Sequence, residues 1–258
     1  QAGLSAYFVG VNRNKRSLGL DVAEAQGRDV LLRLLAGADV LVENFKPGTM
    51  EKWGLGHDEV LAPRFPRLVH CRITGFGGDG PFGGFPGYDA VIQAMAGLIS
   101  INGAPASGPV RLGIPLVDLG SGLNAAVGIL MALAARQRSG QGQLVEVTLY
   151  DSAIGLLHPH AANWFMTGRA PRLTGNAHPN ISPYDLYPTS GRPIFLGIGN
   201  DRQFATLCRE LGRPELAADP RFRGNAERLA NRDALTAILR DLLAGQDGEA
   251  LAARLLAA

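Results

Sequence analysis

Short apolar runs typical of β-strands alternate with helical patterns in this chain, and that alternation most narrows the folds available to it. The strand-like runs are DVLVEN (39–44), RLVHCRITGFG (67–77) and QLVEVTLY (143–150). Apolar residues recur at helical spacing over residues 23–35, 89–99, 121–138 and 151–166. Strands that alternate with helices predict an α/β fold with a mainly parallel sheet.

The rest of the chain has a different pattern. A long polar connector (172–191) precedes one more strand, PIFLGIGN (193–200), and after it only helical patterns follow, at 201–212, 232–244 and 247–257. We therefore expect a domain boundary near residue 185, with a large domain over 1–185 and a linker and smaller, helix-rich domain over 186–258. The chain begins without a methionine and stops inside a helical pattern, so we also expect a fragment that lacks parts of both domains.

Composition excludes some classes of partner. The 258 residues contain 25 Lys and Arg against 23 Asp and Glu, which provides no strong field for nucleic acid or a membrane surface. The apolar run LNAAVGILMALAA (123–135) is too short to span a bilayer. Cys71 and Cys208 lie far apart in apolar surroundings, as free buried thiols do in a reducing compartment. We expect a cytoplasmic protein.

The segment GFGGDGPFGGFPGYD (75–89) is too rich in glycine for regular structure. Such a loop allows backbone amides to approach an anionic ligand closely, or it is simply a flexible surface turn. It matches neither the P-loop pattern nor the dinucleotide fingerprint, so both of those readings fail.

The segment ENFKPGTMEKWG (43–54) follows the first strand-like run. Asn44 and Phe45 end that strand at the edge where α/β sheets bind ligands. Lys46 and Lys52 flank a Pro-Gly turn, where they either contact phosphates or are solvated lysines at a strand end.

Arg72 is a charge inside an apolar strand, on the same strand parity as His70. Such an arginine faces solvent, pairs with an acid or contacts a ligand, and the pattern leaves these alternatives open. No metal site is expected, because HPH (158–160) places two imidazoles off one helix face without a carboxylate nearby. No GxSxG elbow is present either, which argues against a serine hydrolase.

Asp151 follows the alternating strand 143–150 and opens a helical pattern. Aspartate is a preferred helix N-cap, which is one sufficient reason for its position. The same position, at the carboxyl end of a parallel strand and at a helix N-terminus, also suits an ionised nucleophile. Spacing alone does not separate the two interpretations.

Taken together, these segments resemble the family III CoA-transferases, whose superfamily includes formyl-CoA transferase, carnitine-type transferases and α-methylacyl-CoA racemase. The resemblance covers essentially the whole chain and rests on the order and spacing of its motifs. They are NRNKRSLGLD, ADVLVENFKPGTMEKWGLG, PRLVHCRITGFGGDGP, PGYDAVIQAMAGL, GIPLVDLGSGLNAAVGILMALAARQRSGQGQLVEVTLYD and NDRQF with DPRF.

The resemblance implies an interlocked homodimer, with a Rossmann-like large domain joined through linkers to a small domain. It implies that Asp151 is the nucleophilic aspartate and that Asn44, Phe45 and Lys52 bind CoA. It further implies that Arg72 contacts CoA, as in the racemase branch, and that Tyr88 is an active-site residue, as in the transferase branch. Acyl-CoA and small carboxylic acids would be the substrates, with no tightly bound cofactor.

Two alternatives remain beside CoA transfer. Racemases of this superfamily carry histidine where this chain has Tyr88, and glutamate where it has Asp201, so one proton carrier is missing here. An inactive CoA-binding fragment is the other alternative. The connector GNAHPNISPYD (175–185) lacks the glycine run of formyl-CoA transferase, which argues against formyl/oxalyl chemistry and leaves the acid pair open. A lid could still form there from His178 and Asn180.

Overall fold

The structure is a computed structural model that describes Gly3 and residues 5–258. Its strands in chain order are β1 (Val40–Glu43), β2 (Val69–Thr74), β3 (Gly103–Ala104), β4 (Gly108–Pro109), β5 (Leu144–Thr148), β6 (Tyr184–Tyr187) and β7 (Ile194–Gly197). Its α-helices are α1 (Ala6–Val11), α2 (Ala25–Leu35), α3 (Thr49–Lys52), α4 (Ala62–Arg64), α5 (Asp89–Met95), α6 (Leu98–Ile101), α7 (Leu116–Ser139), α8 (Leu149–Gly155), α9 (His160–Thr167), α10 (Asp201–Glu210), α11 (Asn225–Ala230), α12 (Arg232–Ala244) and α13 (Gly248–Ala257).

Three strands form a parallel sheet in the order β1-β2-β5. The register places Glu43 of β1 opposite Arg72 of β2, and Arg72 in turn opposite Glu146 of β5. Because the strands are parallel, their carboxyl ends meet at one edge of the sheet, where α/β proteins bind ligands. The predicted α/β class with a parallel sheet is confirmed.

The chain divides into two compact units. One consists of Gln1–Tyr88 and Asp118–Ser152 and contains the parallel sheet, with a leucine-rich core between α2 and the segment that follows β1. The other consists of Asp89–Val117 and Ala153–Ala258, and its core packs α10, α12 and α13 against the antiparallel pair β6–β7. The domain boundary that the sequence predicts near residue 185 stays a prediction.

Two predicted helices are each divided in the structure. Residues 151–166 form α8 and α9, separated at 156–159, because Pro159 has no N–H to donate to a preceding turn. Residues 89–99 form α5 and α6, separated at Gly97, whose φ of 92° is left-handed.

The connector 172–191 contains β6, which the sequence analysis missed. Its Tyr-Asp-Leu-Tyr sequence is short and polar, and it becomes a strand only by pairing with β7. The buried Arg228 fixes this region, since it donates to the carbonyl oxygens of Ser182 and Phe222 and pairs with Asp201 at 2.8 Å. Asp201 thus has a structural partner within its own unit.

Helix α7 is longer than the apolar run on which its prediction rested. By length and composition it passes the test for a helix that crosses a membrane, and 22% of its most apolar window is buried. Core helices of soluble proteins and signal sequences pass the same test, so a single such helix is weak support for a membrane span. The expectation that this segment is too short to span a bilayer is nevertheless not confirmed.

Candidate active site at the carboxyl ends of the parallel strands

A cavity of about 710 Å³ lies at the carboxyl edge of the parallel sheet. The carboxyl ends of β1, β2 and β5 lead into the wall of this cavity. Every lining residue belongs to the unit that contains the parallel sheet. The lining consists of residues 42–47, 73–75 and 85–88 with Asp118, Ser121, Gly122 and Leu149. Three of the predicted site residues, Asn44, Phe45 and Tyr88, are therefore brought together.

The turn after β1 forms one wall of the cavity. The amide of Phe45 donates a hydrogen bond of 2.7 Å to Glu43 Oε2, and the Phe45 ring packs edge-on against Trp53 at 5.0 Å. Gly48 closes the turn with a φ of 81°, a conformation that glycine adopts without strain. Asn44, Phe45 and Lys46 are left exposed at the cavity.

The glycine-rich segment joins the end of β2 to Tyr88, and its two ends lie close together. A Cβ atom on Gly75 would lie 2.5 Å from the backbone nitrogen of Gly87, so the two ends of this loop touch through backbone. The Gly75 carbonyl also accepts a hydrogen bond from the Tyr150 amide at 3.0 Å. This close approach delivers Tyr88, 81% exposed, to the cavity wall.

Asp118 is a cavity-lining residue that the sequence analysis did not single out. It is the third residue of α7 and lines the cavity with Ser121, one turn further along. The Ser121 side chain is buried, and its hydroxyl has no hydrogen-bond partner among the described residues. The available signal was an acidic residue in the first turn of a long helix, within the stretch PLVDLGSG.

Asp151 has a different environment. It is the third residue of α8, is exposed, and is not among the described residues that line the cavity. Thr148 is the residue that caps α8, because its hydroxyl accepts from the Asp151 amide at 2.9 Å and donates to Asp151 Oδ2 at 2.7 Å. Asp151 is thus a first-turn acid held by the cap and not the cap itself.

Arg72 is surrounded by acids. Its guanidinium lies 3.1 Å from Glu43, 2.8 Å from Glu51 and 3.6 Å from Glu146. Of the alternatives open for a charge in this strand, pairing with an acid is the one observed. Neither Arg72 nor Lys52 is among the described residues that line the cavity, whereas Lys46 is.

Two histidines lie next to the ion pairs of Arg72, and His70 Nε2 is 3.8 Å from Glu43 Oε1. The Nδ1 atoms of His57 and His70 are 3.2 Å apart, so one of them donates and the other accepts. Burial, with smaller contributions from His57 and Arg72, lowers the pKa of the fully buried His70 to about 4. Burial also raises the pKa of the Glu43 carboxyl, although the Phe45 amide and Arg72 act in the opposite direction.

The connector 175–185 is anchored within the other unit. The side-chain amides of Asn163 and Asn180 exchange hydrogen bonds of 2.7 and 2.9 Å, and Arg232 donates to the His178 carbonyl at 2.7 Å. Both residues of the predicted lid are therefore engaged inside that unit. Within the described part of the chain, no cluster of three or more His, Cys, Asp or Glu side chains is arranged to hold a metal ion.

The known proteins to which this chain is similar are CoA-transferases by name. The family model for CoA-transferase family III matches residues 1–258. The acetyl-CoA:oxalate CoA-transferase of Acetobacter aceti is 41% identical over 94% of this chain and 62% of its own length. The succinyl-CoA:glutarate CoA-transferase of Mus musculus is 38% identical over 91% of this chain and 54% of its own length.

Solved structures with a similar fold include two that are at least 36% identical to this chain. A CAIB/BAIF family protein from Brucella suis has a TM-score of 0.79 and 41% identity, over 98% of this chain and 67% of that one. A hypothetical protein from Mycobacterium tuberculosis has a TM-score of 0.83 and 36% identity, over 95% of this chain and 66% of that one. The chain belongs to CoA-transferase family III. It spans 62% and 54% of the lengths of the two curated relatives described above.

Proposed function

We propose that the protein of which this chain is part transfers CoA from an acyl-CoA donor to a carboxylic acid acceptor. The relatives named above act, by their names, on oxalate and glutarate with acetyl-CoA and succinyl-CoA. A small dicarboxylate is therefore the acid class that we propose for this chain. The cavity would take part of the CoA substrate, with Asn44, Phe45 and Lys46 in contact with CoA and with Tyr88 and Asp118 beside the thioester.

We propose Asp118 as the nucleophile, with Asp151 as the alternative that the sequence motif favours. The observation that carries this choice is that Asp118 lines the same cavity as Asn44, Phe45 and Tyr88. Both aspartates occupy the first turn of a helix, whose N-terminal dipole stabilises a carboxylate anion. Asp118 lies in the first turn of the longer helix and lines the cavity that we propose for the thioester.

The reaction needs a carboxylate and no separate base. The aspartate oxygen attacks the thioester carbonyl of the donor, the C–S bond breaks, and a mixed anhydride and CoA thiolate result. The thiolate then attacks the aspartyl carbonyl, which releases the donor acid and leaves an aspartyl-CoA thioester. The acceptor carboxylate repeats both steps in reverse, so the aspartate returns unchanged. The exposed Tyr88 hydroxyl is suited to donate a hydrogen bond to the carboxylate of the released donor acid or of the incoming acceptor acid.

The two aspartates can be separated in one experiment on the full-length protein. After incubation with acyl-CoA and trypsin digestion, Asp118 lies in the peptide 112–136 and Asp151 in the peptide 139–169. We expect the mass of CoA, less one water, on the first peptide. We expect Asp118→Asn to lower kcat by roughly a thousandfold or more, since a nucleophile is lost. The matched variant Asp151→Asn should retain most activity.

An adduct on 139–169, or full activity in Asp118→Asn, contradicts the choice of Asp118. If the full-length protein binds CoA but transfers it between no pair of acids, the alternative of a CoA-binding module is correct. The racemase alternative predicts exchange of the α-proton of a 2-methylacyl-CoA with deuterated water. We expect no such exchange, because Tyr88 stands where a second proton carrier is needed.

We also propose that the protein acts as a homodimer. The support is an apolar face on α7 formed by Leu119, Leu123, Val127 and Leu130, each more than half exposed. These residues recur at helical spacing and make one continuous surface, which a monomer in water rarely leaves uncovered.

A further inference from the structure

The segment 43–51, which carries Asn44, Phe45 and Lys46, is held at both ends by a single arginine. Glu43 precedes the turn and Glu51 follows it on α3. Arg72 Nε donates to Glu43 Oε1 at 3.1 Å, and Arg72 Nη2 donates to Glu51 Oε1 at 2.8 Å. The planar guanidinium presents its donors in a fixed fork, so these two bonds fix the distance between the ends of the turn.

The sheet register explains why this arginine is so placed. Parallel pairing aligns Glu43, Arg72 and Glu146 in one row across β1, β2 and β5. Opposite charges directly across a sheet attract each other, and the attraction is strongest between Glu43 and Arg72, whose side chains are 4% and 16% exposed. The Glu146 side chain is 55% exposed, so solvent screens its part more. The row ends beside the cavity, whose wall includes Glu43.

The charge around Arg72 disfavours a direct contact with a CoA phosphate. One guanidinium faces three carboxylates within 3.6 Å, while the adjacent His70 is neutral at physiological pH because its pKa is about 4. A phosphate that approached Arg72 would meet a net negative environment and compete for donors already in use. Lys46 is exposed and lines the cavity, so it is better placed to meet a phosphate.

We propose that Arg72 and Glu43 are positioning residues: together they hold the Asn44–Phe45 turn in its CoA-binding form, and Arg72 itself does not contact CoA. Glu43 acts through its second oxygen, which accepts the Phe45 amide at 2.7 Å. Arg72 acts by orienting Glu43 and by tying it to Glu51. This inference rests on the proposed function for its ligand, but its structural part is testable without ligand.

The first measurement is hydrogen exchange in the ligand-free, full-length protein, monitored by mass spectrometry on peptides that cover residues 43–50. We expect Arg72→Gln and Glu43→Gln each to raise exchange there by roughly tenfold or more, because the side chain that accepts from the Phe45 amide is no longer held by the ion pair between residues 43 and 72. Peptides that cover α10 serve as an internal control and should not change. Lys46→Gln is the matched variant in the same turn, and it should leave exchange unchanged.

The second measurement is the Kd for CoA by calorimetry in the same variants. We expect Lys46→Gln, Arg72→Gln and Glu43→Gln all to weaken binding, and the Glu43→Gln/Arg72→Gln double variant to be no weaker than the worse single variant. Arg72→Lys keeps the charge but loses the fork, so it should behave like Arg72→Gln. If Arg72→Gln does not fold, Arg72→Lys and Glu51→Gln decide the question. The Glu51 side chain is 38% exposed, so its replacement disturbs the fold less than replacement of the 16% exposed Arg72.

Three results would overturn the proposal. They are unchanged exchange over 43–50 in Arg72→Gln, additive losses of affinity in the double variant, and full rescue of CoA binding by Arg72→Lys. Failure of the proposed function looks different. In that case the wild-type protein does not bind CoA, while the exchange data still report whether the turn is clamped.

Discussion

At the residue scale, the absent side chain of Gly75 sets the shape of the cavity. A Cβ atom there would lie 2.5 Å from the Gly87 nitrogen and 2.8 Å from its Cα atom, so backbone would have to move. We expect Gly75→Ala to destabilise the protein by about 2 kcal/mol and to weaken CoA binding. Gly78→Ala is the control, because a Cβ at Gly78 meets nothing within 4 Å. Thermal unfolding and CoA titration of both variants check this, and equal effects would contradict it.

His70 gives a second prediction at this scale, for the pH dependence of stability. Its pKa in the folded protein, about 4, lies below the ordinary value of 6.5, so the folded state binds fewer protons than the unfolded state. The contribution of His70 to the free energy of unfolding is therefore fully present above pH 6.5. It is lost as the pH falls toward 4, by on the order of 3 kcal/mol. We expect His70→Gln to flatten this part of the profile, measured by urea unfolding from pH 7 to pH 4.

The control for that profile is His158→Gln, since His158 is exposed and should leave the slope unchanged. The titratable and charged groups that act on His70 are His57, Glu43, Arg72 and Glu51. A steep acid slope that survives in His70→Gln would show that other groups dominate acid unfolding.

At the element scale, α8 begins directly after β5 and depends on one hydroxyl for its start. Thr148 accepts from the Asp151 amide and donates to the Asp151 carboxylate. We expect Thr148→Val to destabilise the protein by about 1 kcal/mol, because the cap is lost while the shape is kept. Thr148→Ser, which keeps the hydroxyl, should cost markedly less. Urea unfolding checks the order, and equal losses would show that the methyl group and not the cap matters.

Helices α7 and α8 also show why two first-turn aspartates are not equivalent. Each follows an irregular segment or a strand, and each is the third residue of its helix. Asp151 is engaged by the cap of its own helix, whereas Asp118 lines the cavity. The helix dipole favours an anion at both positions, so the surroundings are the basis on which we propose Asp118 as the nucleophile.

At the scale of the whole molecule, the exposed face of α7 needs an explanation. If a second copy of the chain covers this face, Leu123→Glu combined with Val127→Glu places charges in the dimer interface. We expect light scattering to show a dimer for the wild-type protein and a monomer for this variant. Leu34→Glu is the control, because Leu34 is 55% exposed on α2 outside that face. A monomeric wild-type protein contradicts the prediction, and its co-sedimentation with lipid vesicles would instead assign α7 to a membrane.

The sequence by itself determined the class of fold and the family. The strand-like runs and the helical patterns depend on local periodicity, which the chain carries whatever its neighbours are. The position of Asn44 and Phe45 at the end of a strand-like run was visible for the same reason, and the glycine-rich loop that leads to Tyr88 was visible from its composition. Helix breaks at Gly97 and Pro159 and the strand β6 were not, since the former lay inside apolar runs and the latter exists only through its partner.

Only the tertiary structure decided which charged groups meet. The sequence left the partner of Arg72 open, and the register of three parallel strands places Glu43 and Glu146 on either side of it. Asp118 and Asp151 each lie in the first turn of a helix, and only the structure shows that Asp118 lines the cavity and that Thr148 holds Asp151. Electrostatic and hydrogen-bond partners depend on distances of a few ångströms between segments far apart in the chain, and those distances exist only once the sheet and its helices are assembled.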